Sequence, residues 1–103
     1  MGVPQFTTPT FTLTFTEKDL DLTQARSVYV TFRSDDTLIT KTGEDLVIEE
    51  KAISVYLSQE ETAKFKVGNV KIQANWITPN GGRGASEVTT YQITDQLLKR
   101  VIE

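Results

Sequence analysis

Thr10-Phe11-Thr12-Leu13-Thr14-Phe15-Thr16 alternates an apolar side chain with threonine at every step. Successive side chains of an extended strand point to opposite faces, so Phe11, Leu13 and Phe15 share one face and the hydroxyls take the other. β-branched threonine suits such a pleated, half-buried surface. Pro4 and Pro9 precede this strand. Each lacks a ladder donor, which predicts an edge strand or an arm rather than a central strand.

The same period recurs outward from there. In Ser27–Arg33, Val28, Val30 and Phe32 fall inward while Tyr29, Thr31 and Arg33 fall outward. Between the two strands, residues 18–24 break the alternation with charges, and Leu20 and Leu22 are expected to dip back and plug one end of the core. Ser34-Asp35-Asp36 and Gly43-Glu44-Asp45 are turn chemistry, because short polar side chains bond locally to the backbone. They delimit short strands at 37–42 and 46–49, and a further strand at 52–57 has Ile53, Val55 and Leu57 inward and Ser54 and Tyr56 outward. Ser58-Gln59-Glu60-Glu61 is a capping box, so a short helix reaching Lys66 should follow before Gly68-Asn69 stops it. Val70, Ile72, Ala74 and Trp76 then share a face, which predicts burial of Trp76 over a ligand-stacking role. Pro79-Asn80-Gly81-Gly82 reads as a hairpin turn. In the last strand, 85–94, Val88 lies on the opposite parity from Tyr91 and Ile93, and a β-bulge near Thr89-Thr90 would reconcile them. Residues 95–103 carry an apolar stripe that fits a short terminal helix or tail.

The chain has 103 residues, of which 38% are hydrophobic and 24% charged, too apolar for disorder. One domain, 1–103, is the expectation, with 1–8 as an N-terminal arm outside the alternating core. There is no cysteine and no histidine. Disulfides, thiolate nucleophiles, thiolate or imidazole zinc sites and imidazole-based triads are therefore excluded. Eleven basic residues against 14 acidic ones give a net charge of −3, which lacks the basic footprint of a nucleic-acid binder. No apolar run approaches the roughly 20 residues needed to span a bilayer, and the first residues lack the features of an export signal. Neither nucleic acid nor membrane is an expected partner.

Three acidic pairs, Asp19 with Asp21, Asp35 with Asp36 and Glu44 with Asp45, are the only carboxylate groupings available for calcium or acid-base work. Each sits in a turn, and none matches a calcium loop, so solvated turn charges are the better reading. Residues 80–84, Asn-Gly-Gly-Arg-Gly, lack the Lys-Ser/Thr end of a phosphate loop. No catalytic, cofactor or metal residue emerges, and the chain reads as a non-enzyme. Tyr29, Arg33 and Tyr56, outward in parity and of types enriched at interface cores, are the candidate interface residues.

About seven short strands, punctuated by turns, argue for an all-β antiparallel sandwich, with a closed small barrel as the alternative. The stretch Leu57-Ser58-Gln59-Glu60-Glu61-Thr62-Ala63-Lys64-Phe65 resembles the connection between strands E and F of immunoglobulin domains, which implies an immunoglobulin-like sandwich with its one helix at that crossing. It departs from antibody domains in having no cysteine and in the Gly68-Asn69 that precedes the next strand.

At full length the chain resembles short structural proteins of phages and prophages of Gram-positive gut bacteria. The stretches that carry the likeness are Pro9 through Phe15, Leu22-Thr23-Gln24-Ala25, Val28 through Phe32, Thr40-Lys41-Thr42-Gly43, Tyr56 through Thr62 and Val70 through Trp76. The resemblance implies a virion-associated role in the tail, baseplate or head-tail region, without a defined site residue. Other virion proteins, or copies of itself in a homo-oligomer, would be its partners. It would reside in the host cytoplasm during assembly and then in the virion. A carbohydrate- or receptor-binding sandwich is the alternative, and it would need an aromatic shelf for which Tyr29 with Tyr56 is the only candidate pair.

Overall fold

A computed structural model of the chain describes residues 2–35 and 37–99. It is mostly β, with antiparallel and mixed pairing and one α-helix. Among the described residues there are nine strand segments: β1 (Gly2–Pro4), β2 (Thr10–Thr14), β3 (Ser27–Arg33), β4 (Leu38–Thr42), β5 (Leu46–Glu49), β6 (Ala52–Tyr56), β7 (Gly68–Ile77), β8 (Arg83–Ala85) and β9 (Thr89–Thr94). Helix α1 (Gln59–Ala63) lies between β6 and β7.

The strands form two sheets. The larger has the order β1-β9-β7-β3-β4, with β8 also against β7, and the smaller has the order β2-β6-β5. All pairs are antiparallel except β1 with β9, which run parallel. Their inner faces meet in one cluster in which Val30, Phe32, Val70, Ile72 and Ala74 of the larger sheet join Ile53 and Val55 of the smaller. Phe11 on β2 bridges the layers, its ring 5.6 Å from that of Phe32 and 4.6 Å from that of Tyr91. Leu22, in a 3-10 turn capped by the Asp21 carboxylate, is 1% exposed and closes one end of the core, with Leu20 packed beside it.

Most inward residues read from alternation are buried, Trp76 among them at 4% exposure. The capping box forms in full: the Glu61 amide donates to Ser58 Oγ at 3.2 Å and the Ser58 amide donates to Glu61 Oε1 at 2.9 Å. The helix is shorter than expected. It ends at Ala63, with Lys64 as its C-cap. The turn at 78–82 is closed by bonds between Thr78 and Gly82, and Gly81 supplies the positive φ of 89° that the turn requires.

Two further expectations are corrected. The segment read as an arm outside the core enters it: β1 pairs with β9, Val3 is buried, Gln5 Nε2 donates to the Phe65 carbonyl at 2.7 Å, and Thr62 Oγ1 donates to the Thr7 carbonyl at 2.7 Å. A three-residue strand is too short to carry a period, so alternation could not reveal it. Next, the last strand does contain a bulge, but at 86–88 rather than at Thr89-Thr90. Between the pairs Asn75 with Ala85 and Ile72 with Thr89, three residues answer two, which moves Gly84 and Tyr91 onto the same face despite their opposite parity. Ser86 anchors it, its Oγ accepting from the Ala74 amide at 2.8 Å. In the segment read as a short helix or tail, residues 95–99 form no helix and Leu97 is 99% exposed; residues 100–103 lie outside the described residues.

Candidate functional site

The three candidate interface residues are exposed but not together. Tyr29 and Arg33 both lie on the outer face of the larger sheet, because their neighbours Val28, Val30 and Phe32 point inward from β3. Tyr56 lies on the outer face of the smaller sheet, opposite Thr10 on β2. The two outer faces look away from each other across the core, so Tyr29 and Tyr56 cannot form an aromatic shelf. Parity tells inside from outside; it does not tell which sheet a strand joins.

Around Tyr29 and Arg33 the larger sheet presents Leu38, Lys71, Asn75 and Arg83 through the register of β4, β7 and β8. Arg83 Nη2 donates to Asn75 Oδ1 at 3.1 Å, which ties the guanidinium to β7. Arg33, Lys71 and Arg83 make this a basic face on an acidic chain, and a shallow depression of about 320 Å³ lies between Tyr29, Thr40, Asn75 and Arg83. Of the acidic pairs of the sequence, Asp19, Asp35, Glu44 and Asp45 lie in turns, bends or short 3-10 segments, and Asp21 caps one. Asp21 accepts from the Thr23 amide at 3.0 Å, and Asp36 lies outside the described residues. Among the described residues no three carboxylates converge, and no helix is long and apolar enough to cross a membrane.

Among the described residues, two places draw ionisable groups partly or wholly out of water. Lys41 and Glu61 form an ion pair at 2.7 Å between β4 and α1. Burial pushes the Glu61 carboxyl up, but the Lys41 ammonium and the Ser58 amide together outweigh it and hold the group below its usual range. The pair ties the helix to the edge of the larger sheet. Tyr91 is the second place: its hydroxyl is buried without a hydrogen-bond partner among the described residues, and burial pushes its pKa up.

The sequence places this strand at an edge or in an arm, and β2 is an edge strand of the smaller sheet; what the sequence reading did not single out is that its open side is unprotected. Phe15 donates its amide to Lys51, and Pro9 accepts from the Leu57 amide, so the odd-numbered residues of this strand turn their backbone groups toward β6. Those of Thr10, Thr12 and Thr14 point the other way, and among the described residues no strand pairs there. Natural edges are blunted by charge, proline, shortness or inward-pointing ions. The other edges follow that rule: β1 is short and ends at Pro4, β4 turns Lys41 inward, β5 is flanked by Glu44, Asp45, Glu49 and Glu50, and β8, paired on one side only, is three residues long and carries Arg83. By contrast, β2 has no charge and no proline. Pro9 does not guard it, because its missing donor would have faced β6. Phe11, Leu13 and Phe15 are only half-buried, and a groove of about 480 Å³ opens between Leu13 and Phe15 on one side and Ala85, Glu87 and Thr89 on the other. The signal was present in the sequence as a charge-free alternating run over residues 10–16.

No family model matches the chain, and no curated protein matches it.

Proposed function

We propose that this chain is a non-enzymatic structural or assembly protein of a phage or prophage particle, in the tail, baseplate or head-tail region, that acts through protein-protein contacts. The observation that carries the contact reading is the β2 edge: free backbone donors and acceptors beside half-buried aromatics form a ready template for strand addition. The particle context rests on the full-length resemblance described above. An immunoglobulin-like sandwich is the finer fold reading; the sheet orders β2-β6-β5 and β1-β9-β7-β3-β4 support it, as does the helix between β6 and β7 at the place where such domains cross from one sheet to the other. Partners are other particle proteins or copies of this chain, met first in the host cytoplasm and then in the particle. The separation of Tyr29 from Tyr56 leaves the carbohydrate-shelf alternative without its aromatic pair.

The test is mass spectrometry of particles purified after prophage induction in the source strain. The chain should be present at a stoichiometry set by the ring or tube it joins. Its absence from particles, with abundance in the lysed cells, would overturn the particle reading.

A further inference from the structure

The run Thr10-Phe11-Thr12-Leu13-Thr14-Phe15-Thr16 reads the same in both directions. A palindromic strand with a free edge is complementary to itself when turned through a two-fold axis. From this, and resting on the contact reading above, we infer that the occupant of the β2 edge is β2 of a second copy, paired antiparallel about Leu13.

The backbone geometry fits that register. With the axis at Leu13, Thr12 of one copy faces Thr14 of the other, and Thr10 faces Thr16. These even-numbered residues are the ones whose N–H and C=O groups point away from β6. They would form the hydrogen-bonded pairs of the new ladder, and Leu13 would meet its own copy in a pair without hydrogen bonds, as alternation in an antiparallel ladder requires. A shift of one residue would not do this. It would bring odd-numbered residues, whose backbone groups are already spent on β6, opposite the free groups of the second copy.

The side chains match as well as the backbone. On the outer face threonine would meet threonine, a favourable cross-strand pair. On the inner face Phe11 would meet Phe15, and Leu13 its copy, covering the apolar surface now left half-exposed over the groove. No charge lies between residues 10 and 16, so identical strands do not repel each other. The two smaller sheets would become one continuous sheet in the order β5-β6-β2-β2-β6-β5. A single strand pair is a small interface, so association should be reversible.

Sedimentation equilibrium of the 103-residue chain across roughly 1 µM to 1 mM is the first measurement. Dimer should grow with concentration. Thr12→Pro and Thr14→Pro remove only outward-facing amides, so each should preserve the circular dichroism spectrum while raising the dissociation constant by at least about tenfold. Register is tested by cysteine, of which the chain has none. Residues facing each other at the axis without hydrogen bonds have Cα atoms about 4.5 Å apart, within the span of a disulfide. Under oxidised glutathione, Leu13→Cys should therefore link into a covalent dimer much faster than Thr12→Cys. A chain that stays monomeric throughout, a dimer that survives Thr12→Pro unchanged, or faster linking at position 12 would each overturn the inference. Particle mass spectrometry decides separately whether the contact reading survives.

Discussion

Gly84→Ala should destabilise this protein although it adds one methyl group to an ordinary strand. Gly84 on β8 pairs with Trp76 on β7, and the indole leans across it toward the core. A Cβ at position 84 would fall inside the contact shell of the indole Cε2 and Nε1 atoms and 2.6 Å from Cζ2. The ring has nowhere to retreat: Trp76 is 4% exposed and meets Phe15 edge-on, with centroids 5.4 Å apart. Overpacking of this kind costs about 1–3 kcal/mol. In a domain of this size each kcal/mol moves Tm by about 4–8 °C, so a drop of roughly 5–20 °C is expected. Thermal unfolding by far-UV circular dichroism reads it, with tryptophan emission as a second probe. In a Trp76→Leu background the clash is gone, and Gly84→Ala should become neutral or slightly stabilising because alanine has less backbone entropy to lose. An unchanged Tm in the parent protein, or the same loss in both backgrounds, would refute the reasoning.

Deleting residues 1–8 should lower the urea midpoint, since burial of Val3 alone is worth about 1.5–3 kcal/mol and the bonds from Gln5 and Thr7 are lost with it. Glu61 has its carboxyl held below the usual 4.5, so its stabilisation is present above that pH and disappears as pH falls through the native value. Glu61→Gln keeps the helix cap but not the charge, and the stability gap between it and the parent should close as pH falls below the usual carboxylate range. Tyr91→Phe should raise Tm, with a gain of about 1 kcal/mol, because it removes a buried hydroxyl that has no partner. A fall in Tm would mean that the hydroxyl is satisfied.

The strands were legible where alternation ran long enough to be unambiguous, as in Ser27–Arg33 and from Val70 to Trp76, and the helix start was legible because a capping box is local chemistry. What escaped depends on distant partners. Gly2–Pro4 becomes a strand only because β9 lies beside it, more than eighty residues along the chain. The bulge was inferred from the conflict of Val88 with Tyr91, but its place was set by the Ser86 hydroxyl standing in for a ladder carbonyl at Ala74, which no local pattern encodes. Tyr29 and Tyr56 were correctly placed outside, yet parity could not assign them to different sheets. The β2 edge was readable as an edge, but its lack of protection shows only beside the other, blunted edges of the two sheets.

Residue-resolved amide exchange of the labelled chain tests the exposed β2 edge most directly, once diluted well below the association range and once at high concentration. In the dilute sample the amides of Phe11, Leu13 and Phe15, bonded to β6, should exchange slowly while those of Thr12 and Thr14 exchange freely. At high concentration Thr12 and Thr14 should become protected while the odd-numbered amides change little. Free exchange of Thr12 and Thr14 at both concentrations would contradict self-pairing at this edge, and their protection in the dilute monomer would contradict the open edge itself.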